Sequence, residues 1–130
     1  MRTTARILDA ITAANERLIS FSQQLRTRAE VIEVRHGMDF RRYSSGTILE
    51  FFVDTELTNG KGLCWWLEVN WNIEKWVMES SVLSNEGNGQ ETVREFPERI
   101  AKTVDDVVME LDEAVSLLTG SIDCLDLAYM

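Results

Sequence analysis

The fold is decided by residues 47–71, which read TILEFFVDTELTNGKGLCWWLEVNW. Apolar and polar side chains alternate on both sides of Asn59-Gly60, and a period of two is typical of a strand with one buried face. Asn-Gly is a strong signal for the turn of a β-hairpin. The stretch therefore predicts two antiparallel strands, and we expect a register in which Val53 lies opposite Leu67.

The alternation continues beyond this hairpin. A turn at residues 72–75 is expected to pair Trp71 with Trp76. A third turn, at residues 84–89, then leads to a candidate edge strand at residues 90–95. The result is an antiparallel meander.

Before the hairpin, the sequence pattern that indicates strands is weaker. Residues 31–35 (VIEVR) are β-branched and predict one short strand. Residues 38–46 show no regular period and predict a loop. The sheet is thus expected to contain four to five strands.

Amphipathic helices are predicted at both ends of the chain. Spacings of three and four residues place an apolar stripe on one face of a helix running from about residue 4 to residue 28. The stripe consists of Ile7, Ile11, Ala14, Leu18, Phe21 and Leu25. Residues 104–118 carry a second stripe, with Thr103 at a capping position and Gly120 as a stop signal. The order α-β-β-β-β-β-α predicts a single α+β domain over residues 1–130.

Composition limits the classes of partner. The formal net charge of −9 argues against nucleic acid or an anionic membrane, because both attract concentrated Lys and Arg. No apolar stretch approaches the roughly 20 residues that cross a bilayer, and residues 1–6 do not resemble a secretory signal. Cys64 and Cys124 form no CxxC pair and are expected to be reduced. A cytoplasmic, bacterial protein is the resulting expectation.

The charge is unevenly distributed along the chain. Residues 1–46 carry eight basic and five acidic side chains, whereas residues 47–130 carry five basic and 17 acidic ones. An acidic body with a basic leading segment favours a basic protein partner or the pairing of two copies. A homodimer would use the first helix or the apolar tail, residues 121–130.

Few residues suggest catalysis. His36 is the only histidine and is predicted at a strand end, so a histidine-based metal site or triad has little support. Cys64 is predicted mid-strand beside tryptophans, where a thiol is typically inert. We predict no catalytic residues, no metal and no cofactor. Whether the protein is an enzyme stays open, with a non-enzymatic role favoured.

The second face of the meander is more informative. It combines carboxylates with large apolar side chains, and like charges on neighbouring strands cost stability. Its members are Glu50, Phe52, Trp66, Glu68, Val77 and Glu79. The predicted register places Glu50 opposite Asn70, Phe52 opposite Glu68 and Glu68 opposite Glu79. One interpretation is an ordinary solvated face, and the other is an acidic and aromatic surface that binds a partner.

Two functions are therefore predicted. The first is a non-enzymatic interaction module that binds or neutralises a basic protein. In size and acidity the chain is similar to bacterial immunity proteins and secretion chaperones, a similarity of composition that involves no motif. The alternative is a small-ligand or cofactor carrier, or an enzyme, whose aromatic pocket lies between helix and sheet and is lined by Trp65, Trp71 and Trp76.

Overall fold

The computed structural model describes residues 2–43, 46–72, 74–86 and 89–128. Its elements follow in chain order as α1 (Arg2–Arg26), β1 (Val31–Tyr43), β2 (Gly46–Leu57), β3 (Gly62–Trp71), β4 (Trp76–Glu86), β5 (Gly89–Glu95), β6 (Arg99–Ala101), α2 (Val104–Thr119) and α3 (Cys124–Ala128). The predicted helix, five-stranded meander and closing helix are confirmed. The short elements β6 and α3 were not predicted.

All pairings in the sheet are antiparallel, in the order β1-β2-β3-β4-β5. β4 has two partners along its far edge. Its second half pairs with β5, whereas its first three residues pair with β6. Phe96-Pro97-Glu98 separates the two partners, because proline cannot donate a hydrogen bond to the ladder.

The Asn-Gly hairpin is present, but its predicted register is wrong by two residues. Val53 lies opposite Trp65 instead of Leu67. The loop contains three residues, 58–60, because Leu57 N donates to the Lys61 carbonyl at 2.9 Å. Gly60 adopts the left-handed conformation that this loop requires, with φ of 85°. The loop is therefore centred on Asn59, whereas the predicted register requires a centre at Gly60, and this displacement by one residue shifts every cross-strand pair by two.

β1 is much longer than predicted. It pairs with β2 along its whole length and ends with Tyr43 opposite Gly46, so the loop predicted at residues 38–46 is wrong. Ser44 and Ser45 lie outside the described residues. The second half of β1 is exposed on both faces, so no hydrophobic alternation marks it. Backbone pairing with β2 makes it a strand, which is a tertiary effect.

The core lies on one side of the sheet, under α1 and α2. Trp65 occupies its centre and is fully buried. The Phe21 ring of α1 packs against Trp65 at 5.3 Å, edge to face, and the Trp65 indole N–H donates to the Ser121 carbonyl at 3.2 Å. The inward residues of the central strands are likewise buried, and they are Leu49, Phe51, Val53, Leu63, Leu67, Val69, Met78 and Val82.

The closing helix begins and ends as predicted. The Thr103 side chain caps α2 by accepting a hydrogen bond from Asp106 N at 3.1 Å, and Gly120 follows the last turn. α1 and α2 lie side by side, and Arg17 of α1 contacts Asp112 Oδ1 at 2.6 Å. None of the described helices is long and apolar enough to cross a membrane.

The apolar tail docks on its own chain. Cys124, Leu125 and Ala128 of α3 are buried, and Asn59 Nδ2 donates to the Ala128 carbonyl at 3.0 Å. Arg94 of β5 holds the start of α3 through two 2.9 Å contacts with the carboxylate of Asp123. Tyr129 and Met130, which the sequence analysis included in the tail, lie outside the described residues.

Candidate functional site

One face of the sheet is covered and the other is open. Among the described residues, every helix packs on the face that carries Trp65. We call the opposite side the open face. It carries the even-numbered residues of β2 and β3 and the odd-numbered residues of β4, most of them half-buried by their own neighbours.

Four carboxylates form a straight row across the open face. The register places Asp39 opposite Glu50, Glu50 opposite Glu68, and Glu68 opposite Glu79. We call these four residues the acidic rung. Neighbouring strands lie about 4.8 Å apart, so each carboxylate has another directly beside it. Such a row costs folding free energy, because like charges face each other at three consecutive steps.

The charge of the acidic rung is neutralised at one end only. Arg41 Nη2 lies 3.1 Å from Glu50 Oε2, and Arg41 Nε lies 3.6 Å from Asp39 Oδ2. Within the described part of the chain, neither Glu68 nor Glu79 forms an ion pair. Burial, followed by repulsion from Glu79 and Glu50, raises the pKa of Glu68, and Arg41 only partly opposes this rise. The half of the rung on β3 and β4 therefore presents uncompensated negative charge.

An apolar row, which we call the aromatic rung, lies directly beside the acidic rung. Phe52 lies opposite Gly37 on one side and Trp66 on the other. A Cβ atom at Gly37 would come within 2.5 Å of Phe52 Cζ, so the ring lies over the glycine backbone. Phe52 and Trp66 are both half-buried. They offer rigid aromatic area that orders at low entropic cost when a partner covers it.

The row on the other side of the acidic rung is mixed. It runs from Ile48 through Asn70 and Val77 to Ile100, which is 49% exposed. The acidic rung thus lies between two rows that contain apolar side chains. A partner that covers all three rows would bury apolar surface on both sides of the carboxylates.

The surroundings of the thiol on this face disfavour its ionisation. Cys64 lies opposite Asp54, and burial, together with repulsion from Asp54 and Glu50, raises the pKa of Cys64 to about 12. Burial also raises the pKa of Asp54, against the effect of Arg35. The thiolate needed for nucleophilic attack is therefore strongly disfavoured at neutral pH. His36 lies opposite Val53, on the other face of β1.

All six residues predicted for the partner surface lie on the open face. The predicted pairing of Glu68 with Glu79 is confirmed, and so is that of Trp71 with Trp76. Two predicted contacts are wrong, because the hairpin register differs. Glu50 lies opposite Glu68 instead of Asn70, and Phe52 lies opposite Trp66 instead of Glu68. The structure therefore separates acidic and aromatic side chains into adjacent rows.

The contribution of β1 to the open face was not predicted. Asp39, Arg41 and Gly37 all lie on the open face, in the segment predicted as a loop. A signal was present, because Met38 and Phe40 alternate with Asp39 and Arg41. Ile100 was missed with its three-residue strand, which is too short to show a period.

The three tryptophans that were predicted to line a pocket between helix and sheet pack against other side chains or lie at the edge of the core. Trp65 is fully buried and enclosed by Phe21 and Ser121. Trp71 packs edge to face against Phe40, with ring centres 5.7 Å apart. Trp76 is partly buried at the same end of the sheet. These side chains complete the core and its margin.

The carboxylates do not form a metal site among the described residues. No group of three or more His, Cys, Asp or Glu side chains in the described ranges has the arrangement needed to hold a metal ion.

The chain was also compared with known protein families, curated proteins and solved structures, and none of the three comparisons found a match.

Proposed function

We propose that the protein is a non-enzymatic interaction module whose open face binds a basic partner protein. The observation that carries the proposal is the pair Glu68 and Glu79. These carboxylates face each other beside Trp66, form no ion pair with any described residue, and lie on a surface that none of the described helices covers. A row that costs folding free energy is understandable if a bound cation removes the repulsion.

The rows suggest the chemistry of the partner. Lysine or arginine side chains would lie along the acidic rung, and apolar side chains on both sides of them would cover Phe52, Trp66 and Val77. Carboxylates steer such a partner and select against acidic ones, whereas the aromatic rings supply the buried area. Binding that neutralises or escorts a basic protein is consistent with this surface and requires no catalytic group.

The test is affinity capture from the native host followed by mass spectrometry. The test variant is Glu68→Lys/Glu79→Lys, and Trp66→Ala probes the aromatic contribution separately. The matched control is Asp9→Lys/Glu16→Lys, which makes the same charge change at exposed sites on α1. Circular dichroism verifies that each variant is folded.

We expect a basic protein that the wild type and the control capture and that both open-face variants lose. Its binding should weaken as salt rises, because the carboxylates are solvent-accessible. Capture that is unchanged by the Glu68→Lys/Glu79→Lys variant would show that the open face is not the binding surface.

A further inference from the structure

β1 is an unusually exposed edge strand. Among the described residues its only neighbour in the sheet is β2, so no described strand pairs with the outer side of its 13 residues. Four of the eight most exposed large apolar side chains described lie on it, and they are Ile32, Met38, Phe40 and Tyr43. Natural proteins protect such an edge with charged side chains, proline, β-bulges or a short strand. β1 carries charged residues and a register shift between Val31 and Glu33, but it contains no proline and is the longest of the described strands.

The charges of β1 show what can cover this edge. On the open face its sequence runs Glu33, Arg35, Gly37, Asp39 and Arg41. If a second copy is placed beside β1 by a two-fold rotation about Gly37, each acidic residue of one copy lies opposite a basic residue of the other. We propose that two copies of the chain pair their β1 strands antiparallel, with Gly37 at the two-fold axis, to form one continuous sheet. The proposal is independent of the partner proposed above.

In this arrangement Arg35 lies opposite Asp39 of the second copy, and Glu33 lies opposite Arg41. The two-fold axis repeats both contacts, so four opposite-charge pairs form. The arginine of each pair also lies beside a carboxylate of β2 in its own chain. Arg35 lies 3.5 Å from Asp54, and Arg41 lies 3.1 Å from Glu50.

The helix side of β1 is complementary as well. Phe40, 55% exposed, would lie opposite Val34 of the second copy, and Met38, 47% exposed, opposite His36. Arg26 Nη2 donates to the Val34 carbonyl at 3.0 Å, which leaves the second lone pair of that oxygen for a further donor. Pairing would extend the core across the axis and cover the apolar side chains that are now exposed.

Other registers are unfavourable. If one strand slips by a single residue, side chains of the open face come to lie opposite side chains of the helix face. Only shifts by an even number of residues keep each face of one copy next to the same face of the other. Centring the pair on Met38 places Arg35 opposite Arg41, and centring it on His36 places Glu33 opposite Asp39. Both neighbouring registers therefore bring like charges together. The axis at Gly37 avoids this and also brings two side-chain-free positions face to face.

The test is the oligomeric state by light scattering. We expect a dimer for the wild type and a dissociation constant raised about tenfold or more by Arg35→Asp or by Asp39→Arg, because each change makes two contacts repulsive. An equimolar mixture of the two variants should recover the dimer, since the opposed charges are then complementary. Recovery by mixing separates this effect from loss of the Arg35–Asp54 contact inside each chain. Glu91→Arg, on the opposite edge strand, is the matched control and should leave the dimer unchanged.

The register has its own test. Directly opposed residues lie about 5 Å apart between Cα atoms, within the range of a disulfide. His36→Cys mixed with Met38→Cys should therefore form an intermolecular disulfide on oxidation, whereas Met38→Cys alone should not. A wild type that is monomeric at every concentration overturns the proposal, and so does a dimer insensitive to both charge reversals. Cross-linking of Met38→Cys with itself would overturn the Gly37 axis.

Discussion

The two faces of the sheet share the same strands and differ in nearly every other respect. On the helix face, large side chains such as Trp65, Phe51 and Leu67 are fully buried among apolar neighbours. On the open face, the adjacent residues Trp66, Phe52 and Glu68 are half-buried and arranged in rows of like chemistry. The first face accounts for why the chain folds. The second contains an arrangement that folding alone does not favour, which is why we propose that it binds a partner.

The largest expected difference in stability is between the Trp65→Ala and Trp66→Ala variants. Trp65→Ala should lower the free energy of unfolding by about 3–5 kcal/mol, because it opens a cavity and removes one of the two donors to the Ser121 carbonyl, which also accepts from Cys124 N. Trp66→Ala should cost about 1 kcal/mol, since the side chain is only half-buried. Urea unfolding of both variants measures the difference. Equal losses would mean that the open face contributes to folding as much as the core does.

A smaller effect is expected at Gly37. Gly37→Ala should destabilise by about 1–3 kcal/mol, because its Cβ would overlap the Phe52 ring. In the Phe52→Ala background the same substitution should cost less by about 1 kcal/mol or more. A double-mutant cycle, measured by urea unfolding at one protein concentration, tests this coupling. Additive effects would contradict the placement of the ring over Gly37.

Removing one charge from the acidic rung should stabilise the protein. Glu68→Gln should raise the free energy of unfolding at neutral pH by about 0.2–1 kcal/mol, because Glu68 faces both Glu50 and Glu79. Since the fold raises the pKa of Glu68, ionisation of this carboxyl destabilises the native state. The unfavourable contribution is absent below the ordinary pKa of 4.5 and is complete once the pH exceeds the raised value.

The gain from Glu68→Gln should therefore appear as pH rises through that interval and vanish in acid. Urea unfolding at several pH values measures it. Glu91→Gln serves as the control, because Glu91 lies opposite Ser84 rather than another carboxylate. A Glu68→Gln gain that is the same at every pH would contradict the explanation from burial and repulsion of the ionised carboxylate.

The smallest expected signal is the reaction of the cysteines. At neutral pH, Cys64, with its pKa raised from 9.0 to about 12, should contain about a thousandfold less thiolate than an ordinary cysteine. Burial also raises the pKa of Cys124. A thiol reagent should modify neither residue in the native protein and both after unfolding, as mass spectrometry can show. Rapid native modification of Cys64 would restore a chemical role to the open face.

The sequence by itself determined the class of fold and the division of residues between the two faces. Period-two alternation in β2 and β3 and the apolar stripes of α1 and α2 are local patterns, and each one specifies which side of its element is buried. This is why all six residues predicted for the open face are found there. The cap at Thr103 and the stop at Gly120 were also readable, since they act within one helical turn.

Only the tertiary structure decided which of those residues are neighbours. The hairpin register is set by a loop centred on Asn59 instead of Gly60, and this register separates the acidic rung from the aromatic rung. The second half of β1 is a strand because β2 supplies its hydrogen-bond partners, and it contributes Asp39 and Gly37 to the two rungs. Contacts between distant segments follow from backbone pairing, which side-chain periodicity within a segment does not encode.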